Sequence, residues 1–279
     1  MKKLSTFMAT TLIAAGISMT AATTAHAVGC SNSSSGFDNF KRQFASEAKA
    51  AGVGRRGLNA LAGAVYLPKV IAYDQKQARY FKSAGRSKAN IDKHYRRSLK
   101  NMGGINNVRK KLKKNARTLA RIEKKYGVQK EILVSIWGKE TSFGAYTGRI
   151  DTINALASLS HNCRRSGLFR PNLIAALKIL DKRWIPRSRM RGAAHGELGQ
   201  LQFLAKNYLI YAQDGNGDGK RDLIGSSSDA LASAANYLRS LGWQRGGSYK
   251  PGSSNFRILN KYNESTAYQH SIVRIAAQL

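Results

Sequence analysis

A mainly α fold with few short strands is what the sequence predicts, on three observations. Apolar residues recur three or four apart in one segment after another, as at Phe37, Phe40, Phe44 and Ala48, which is the spacing of a single helix face. No sustained alternation of period two and no internal repeat runs through the 279 residues, so strands reduce to a small hairpin. Glycines stand where helical patterns stop, at Gly52, Gly103-Gly104 and Gly127, as helix ends prefer.

The first residues serve export. Lys2 and Lys3 precede a largely apolar run from Phe7 to Ala22, and Ala25-His26-Ala27 places small residues at both recognition positions of a cleavage site. Residues 1–27 read as a signal peptide; the run is too short, and too broken by Thr and Ser, for a membrane anchor. A-V-G-C ending at Cys30 resembles a lipid-attachment box without its usual leucine, which leaves lipoprotein anchoring as the weaker alternative to a free periplasmic protein. About 250 residues remain, enough for one large core or two small ones. Cys30 and Cys163 are the only cysteines, and in an oxidising compartment two cysteines most simply form one disulfide.

The mature chain can be taken in order. Residues 28–36, rich in Gly, Ser and Asn, read as a linker. Helices are predicted over 37–51 and 56–61, and Val70-Ile71-Ala72 leads into Asp74-Gln75-Lys76-Gln77. From Ile91 to Tyr126 the chain is basic and mostly helical, broken at Gly103-Gly104, with Leu119, Ile122 and Tyr126 as its apolar seam. The next helix carries Ile132, Leu133, Ile136 and Trp137 on one stripe. After the apolar segment 153–159 and S-H-N-C-R-R-S, Pro171 suits the first turn of a helix whose face is Leu173, Leu177, Leu180 and Trp184. An Arg-rich loop follows over 183–191, then helices over 200–211 and 229–241 around a Gly- and Asp-rich loop.

Glu140 is the residue with chemical promise. It lies four residues after Ile136 and seven after Leu133, on the apolar stripe, just before the helix stops at Phe143-Gly144. Desolvation disfavours a charged carboxylate, so Glu140 should have a raised pKa and so serve as a general acid. The plainer reading is a structural pair with one of the many Lys and Arg residues.

Four motifs in order favour the chemical reading. G-K-E-T-S-F-G, then G-E-L-G-Q-L-Q-F, A-N-Y-L and K-Y-N-E-S-T-A-Y resemble the membrane-bound lytic murein transglycosylase B family, from about Phe37 to Leu279. The resemblance implies a lysozyme-like core over residues 118–279 behind a helical lobe over 37–117, together one catalytic domain. It implies that one Glu suffices where other glycosidases use two carboxylates. Glu140 would protonate the MurNAc–GlcNAc glycosidic oxygen of peptidoglycan, then take a proton from the C6 hydroxyl as a 1,6-anhydro ring closes. Gln202 stands at the sugar-contacting position, where an amide can donate and accept. Arg164 and Arg165 match a groove-lining pair suited to carboxylates, and Tyr262, Asn263 and Tyr268 match the terminal element of the cleft. Two positions depart from the pattern: Ala193 replaces a Ser that bonds the catalytic Glu, and Glu197 replaces a small residue and adds a carboxylate near the cleft.

Residues 214–225 form an EF-hand-like loop. Asp214, Asn216 and Asp218 occupy positions 1, 3 and 5, Gly219 the obligatory turn, and Lys220 offers its carbonyl. Position 12 is Gly225, so Asp229 is the candidate for the missing oxygens and Asp222 a further ligand; the ion would be a structural Ca2+, and catalysis needs no cofactor. The alternative is a metal-free turn with Asp229 as a helix cap.

The formal net charge of +32 attracts polyanions. Removing Lys2 and Lys3 from 47 basic residues leaves 45 against 15 acidic. Export, the spread of the charge and the absence of nucleic-acid motifs exclude nucleic acid as the partner. Peptidoglycan glycan strands are the expected partner of a monomeric enzyme, with anionic envelope surfaces as a further one. The competing functions are a hydrolytic muramidase and a non-catalytic basic module that binds peptidoglycan.

Overall fold

The structure, a computed structural model, describes residues 29–83 and 88–279, with side chains over 29–77 and 90–279. The signal peptide read at 1–27 lies outside the described residues. Thirteen α-helices occur among the described residues: α1 Phe37–Ala50, α2 Arg55–Ala62, α3 Pro68–Ser83, α4 Lys88–Asn101, α5 Gly104–Lys114, α6 Ala116–Tyr126, α7 Lys130–Thr141, α8 Thr152–His161, α9 Ser166–Asp181, α10 Ala205–Tyr211, α11 Ser227–Ser240, α12 Ser254–Tyr262 and α13 Thr266–Ala276. Two two-residue strands, β1 Ile150–Asp151 and β2 Arg191–Gly192, pair antiparallel with Ile150 opposite Gly192. Single bridges from Gly192 to Leu198 and from Leu198 to Phe203 extend that hairpin. Among the described residues no helix is long and apolar enough to cross a membrane.

Helix α7 is the axis. It packs against α4, α5, α6, α11 and α13, and Ile132 through Gly138 are buried without a break. The expected single stripe is therefore too narrow: a helix enclosed on all sides has no solvent face to keep polar. Gly138 is needed inside it, because a Cβ there would overlap Met102 and Phe143. Beyond Thr141 the chain turns sharply through three left-handed residues, Ser142, Phe143 and Gly144. That conformation costs about 1–2 kcal/mol per non-glycine residue, and local bonds offset it. Ser142 Oγ donates to Asn101 O at 2.8 Å, and Gly144 N donates to Thr141 Oγ1 at 2.9 Å.

Four further expectations need correction. Pro171 lies inside α9, which begins at Ser166, and Trp184 falls beyond its end. Residues 200–204 belong to the hairpin turn, so α10 starts only at Ala205. The basic stretch before α7 breaks again at Asn115, whose amide donates to Lys111 O. The division at 117/118 falls inside α6, and one hydrophobic cluster runs from Phe37 to Ala276 across it.

Cys30 and Cys163 form a disulfide across 133 positions. Beside it Ser31 N donates to His161 O at 2.9 Å, and the buried His161 ring sits among Phe37, Phe40 and Tyr66. The segment read as a linker is thus tied down at its start.

Candidate active site

The C-terminal end of α7 brings Glu140 to the meeting point of α13 and the β2 hairpin. Tyr268, buried in α13, donates its hydroxyl to Glu140 Oε1 at 2.6 Å. Glu140 is half-buried by its surface, but surrounding protein desolvates the carboxyl and raises its pKa from 4.5 to about 7. The Tyr268 hydrogen bond and Lys139 oppose that rise; the charge of Glu197 adds to it. Burial also pushes the Tyr268 and Tyr262 phenols well above their usual range, so both stay neutral donors.

Tyr262 stacks on Tyr268 with ring centroids 6.2 Å apart. Its buried hydroxyl has no hydrogen-bond partner among the described residues. An unpaired buried donor is costly, and a ligand oxygen would satisfy it. Asn263 ends α12, and its side-chain oxygen accepts from Ser265 N at 3.0 Å.

The β2 hairpin is fastened to α7 by residues that motif reading passed over. Gln200 accepts from Trp137 Nε1 at 2.7 Å through Oε1 and donates to Ile224 O at 3.1 Å, while Thr141 Oγ1 donates to Gln200 O at 2.8 Å. Gln200 sits at a variable position inside the recognised motif, so its only signal was an amide beside Gly199. Gln202 has a left-handed backbone, φ 50°, and donates its amide hydrogens to Thr147 O and Gly199 O; what it offers a ligand is its oxygen. A Cβ on Gly192 would overlap the carbonyl of Glu197, which explains glycine at that strand position.

Arg164 and Arg165 are turned to α3. Both pair with the carboxylate of Asp74, which is 2% exposed in α3, and Arg164 also donates to the Asp74 carbonyl at 3.1 Å. His195 Nε2 lies 3.1 Å from Asp74 Oδ1, and its Nδ1 lies 3.4 Å from Glu197 Oε1. Glu197 Oε2 accepts from His195 N at 2.9 Å. Glu197 is therefore engaged by His195, and the hydroxyl that meets Glu140 is that of Tyr268.

In the acidic loop, carboxylate oxygens of Asp214, Asp218 and Asp229 lie within 4.8 Å of one another. Asp214 accepts from Gly217 N and Gly219 N, and Lys220 N donates to Asp218 Oδ1. Asn216 is exposed, its oxygen accepting from Asp218 N. The buried Asp229 accepts from Gly215 N at 2.9 Å and Asp222 N at 2.8 Å, so it spans the loop as a strut. Asp222 pairs with Arg189 and caps Ile224 and Gly225, which removes it as a ligand in this geometry. Three clustered carboxylates on an EF-hand spacing suit a hard divalent cation.

A small hairpin laid over the end of a buried helix, with Glu140 at the junction, is the arrangement of a lysozyme-like fold. Residues 36–252 match the Transglycosylase SLT domain family, and the chain belongs to it. A segment of 122 residues is 37% identical to membrane-bound lytic murein transglycosylase B of Escherichia coli (strain K12), covering 43% of this chain and 34% of that relative. The chain thus matches about a third of the curated relative's length. The solved structure of SltB3 from Pseudomonas aeruginosa in complex with NAG-NAM-pentapeptide is similar at a TM-score of 0.77 and 27% identity, over 87% of this chain and 79% of that one. Slt35 of Escherichia coli in complex with calcium shares the fold at a TM-score of 0.66 and 23% identity, over 85% and 91% of the two chains.

Proposed function

We propose that the protein is a lytic transglycosylase that cleaves the β-1,4 bond between MurNAc and GlcNAc in peptidoglycan. The observation that carries this reading is the Glu140 carboxyl, desolvated to a pKa of about 7 and held by the Tyr268 hydroxyl at 2.6 Å. Protonated Glu140 gives its proton to the leaving O4 as the C1–O4 bond breaks. The resulting carboxylate, stabilised by Tyr268, then takes the C6 hydroxyl proton while O6 bonds to C1. Water is not consumed, and Glu140 ends protonated. One group thus serves as acid and then base, a task that a pKa near neutrality suits. The NAG-NAM-pentapeptide bound to the Pseudomonas aeruginosa relative supports peptidoglycan as the substrate. Mass spectra of digested sacculi test the reading: anhydro-muropeptide ends are expected, and reducing ends alone would make the protein a muramidase. Release of no soluble fragment at any pH would leave a binding module.

The disulfide and the predicted leader support a periplasmic setting. The acidic loop is assigned to calcium as a structural clamp, held by Asp214, Asp218 and Asp229. Its place outside the Glu140 junction assigns it to the fold and not to the reaction.

A further inference from the structure

A cavity of about 760 Å³ opens between α2, the end of α9 and the acidic loop. Its floor is apolar, formed by Ala60 of α2, Leu180 of α9 and Ile185 just beyond that helix. Its rim is basic. Arg56 of α2, Arg183 and Arg187 after α9, and Lys220 of the acidic loop line it, and among the described residues no Asp or Glu does. Arg187 is answered by Asp151, to which its Nη2 donates at 2.9 Å. Lys182 and Arg221, neighbours of the rim, lie over the Trp184 ring at 5.4 and 4.8 Å. Arg56, Arg183 and Lys220 are exposed, and their side chains make no ion pair, hydrogen bond or ring contact among the described residues. The lining shares no residue with the junction of Glu140, Tyr268 and Gln202.

Three like charges around one opening repel one another, and a partner with two or more negative charges removes that cost. Guanidinium groups accept carboxylate and phosphate alike, so the floor decides between them. A phosphate ion has no apolar surface to lay on it. A bilayer presents headgroups and keeps its acyl chains in hydrocarbon. A short peptide carries carboxylates and side-chain methyl groups together, and the volume falls in the range of about 300–1,000 Å³ usual for ligand sites. We propose that this cavity is a second peptidoglycan site, outside the Glu140 junction, which binds the acidic peptide attached to a glycan strand. Arg56, Arg183 and Lys220 take its carboxylates, and its methyl groups lie on the floor. The site rests on the peptidoglycan reading above but is measured by binding, without turnover.

Co-sedimentation of the protein carrying Glu140→Gln with sacculi provides the test, run in parallel on glycan strands whose peptides an amidase has removed. Adding Arg56→Gln and Arg183→Gln together should raise Kd for intact sacculi roughly tenfold and leave Kd for peptide-free strands unchanged. Adding Lys113→Gln and Lys114→Gln instead, two exposed residues of α5 that remove the same charge, should leave both unchanged. Melting curves of both pairs should match the parent, since all four side chains are exposed. An unchanged Kd for intact sacculi, an equal loss on peptide-free strands, or an equal loss from the α5 pair would overturn the site. So would binding to phosphatidylglycerol vesicles that falls with the arginine pair while sacculus binding holds, since the cavity would then take lipid phosphate. Wild-type protein that binds intact sacculi through these arginines but yields no anhydro ends would remove the proposed reaction and leave the site standing.

Discussion

Asp74 in α3 and Glu140 at the end of α7 are two enclosed carboxyl groups held in opposite ways. Asp74 is paired with two guanidinium groups, those of Arg164 and Arg165, and His195 Nε2 lies 3.1 Å from it. Glu140 has a neutral donor, Tyr268, at its oxygen, and Lys139 turns its ammonium over the Tyr268 ring at 5.5 Å. A buried carboxylate with guanidinium partners is an ion that ties elements together. One with a phenol partner stays costly to ionise and becomes an acid. Burial is common to both; the partner decides the role.

The comparison breaks most visibly at Glu140 itself. Glu140→Gln should lower fragment release from sacculi by roughly a thousandfold or more, the loss of both proton transfers, while binding to sacculi persists. It should also change stability in a defined window. Native Glu140 titrates near 7 and its unfolded counterpart near 4.5, so between those values the native state holds a proton that the unfolded state releases. Stability therefore falls as pH rises through that window, by up to about 3 kcal/mol. The Gln variant should lack this slope in urea titrations across pH 4–8; an unchanged slope would mean the carboxyl is not desolvated.

The same change at Asp74 should act on the fold. Asp74→Asn leaves two guanidinium groups without their charge partner and should destabilise by about 3–5 kcal/mol, read from denaturant midpoints. A loss of activity with no loss of stability would place Asp74 in the chemistry instead. A third carboxylate arrangement, the aspartate loop, sharpens the contrast, because there like charges face one another. Calcium at 100 times its dissociation constant should add about 2.7 kcal/mol, at an affinity on the order of 10⁻⁴–10⁻³ M. Asp218→Ala should remove the rise in Tm and keep activity at low temperature; a Tm that ignores millimolar calcium would leave the loop a turn. The smallest effect is expected at Tyr268. Its hydroxyl favours ionised Glu140, so Tyr268→Phe should raise the Glu140 pKa further and move the alkaline limb of activity upward by about one pH unit. A limb moved to lower pH would contradict that role.

Much of this was legible in the order of residues, and the reasons are local. Helices α1, α6 and α7 are written in apolar spacing and glycine stops, because a helix is decided by neighbours three and four positions away. The position of Glu140 on a buried helix already implied a raised pKa. The two cysteines and the aspartate spacing implied a bridge and a loop of the kinds observed.

Tertiary packing alone decided the partners. Tyr268 reaches Glu140 across 128 positions, and Arg165 reaches Asp74 across 91. Gln200 became the clasp on Trp137 only because the hairpin crosses the end of α7. Helical periodicity shows that a face will be buried, and it carries no information about which distant side chain will cover it. That choice is made when helices pack, and here it gives Glu140 a phenol partner and Asp74 an ion pair.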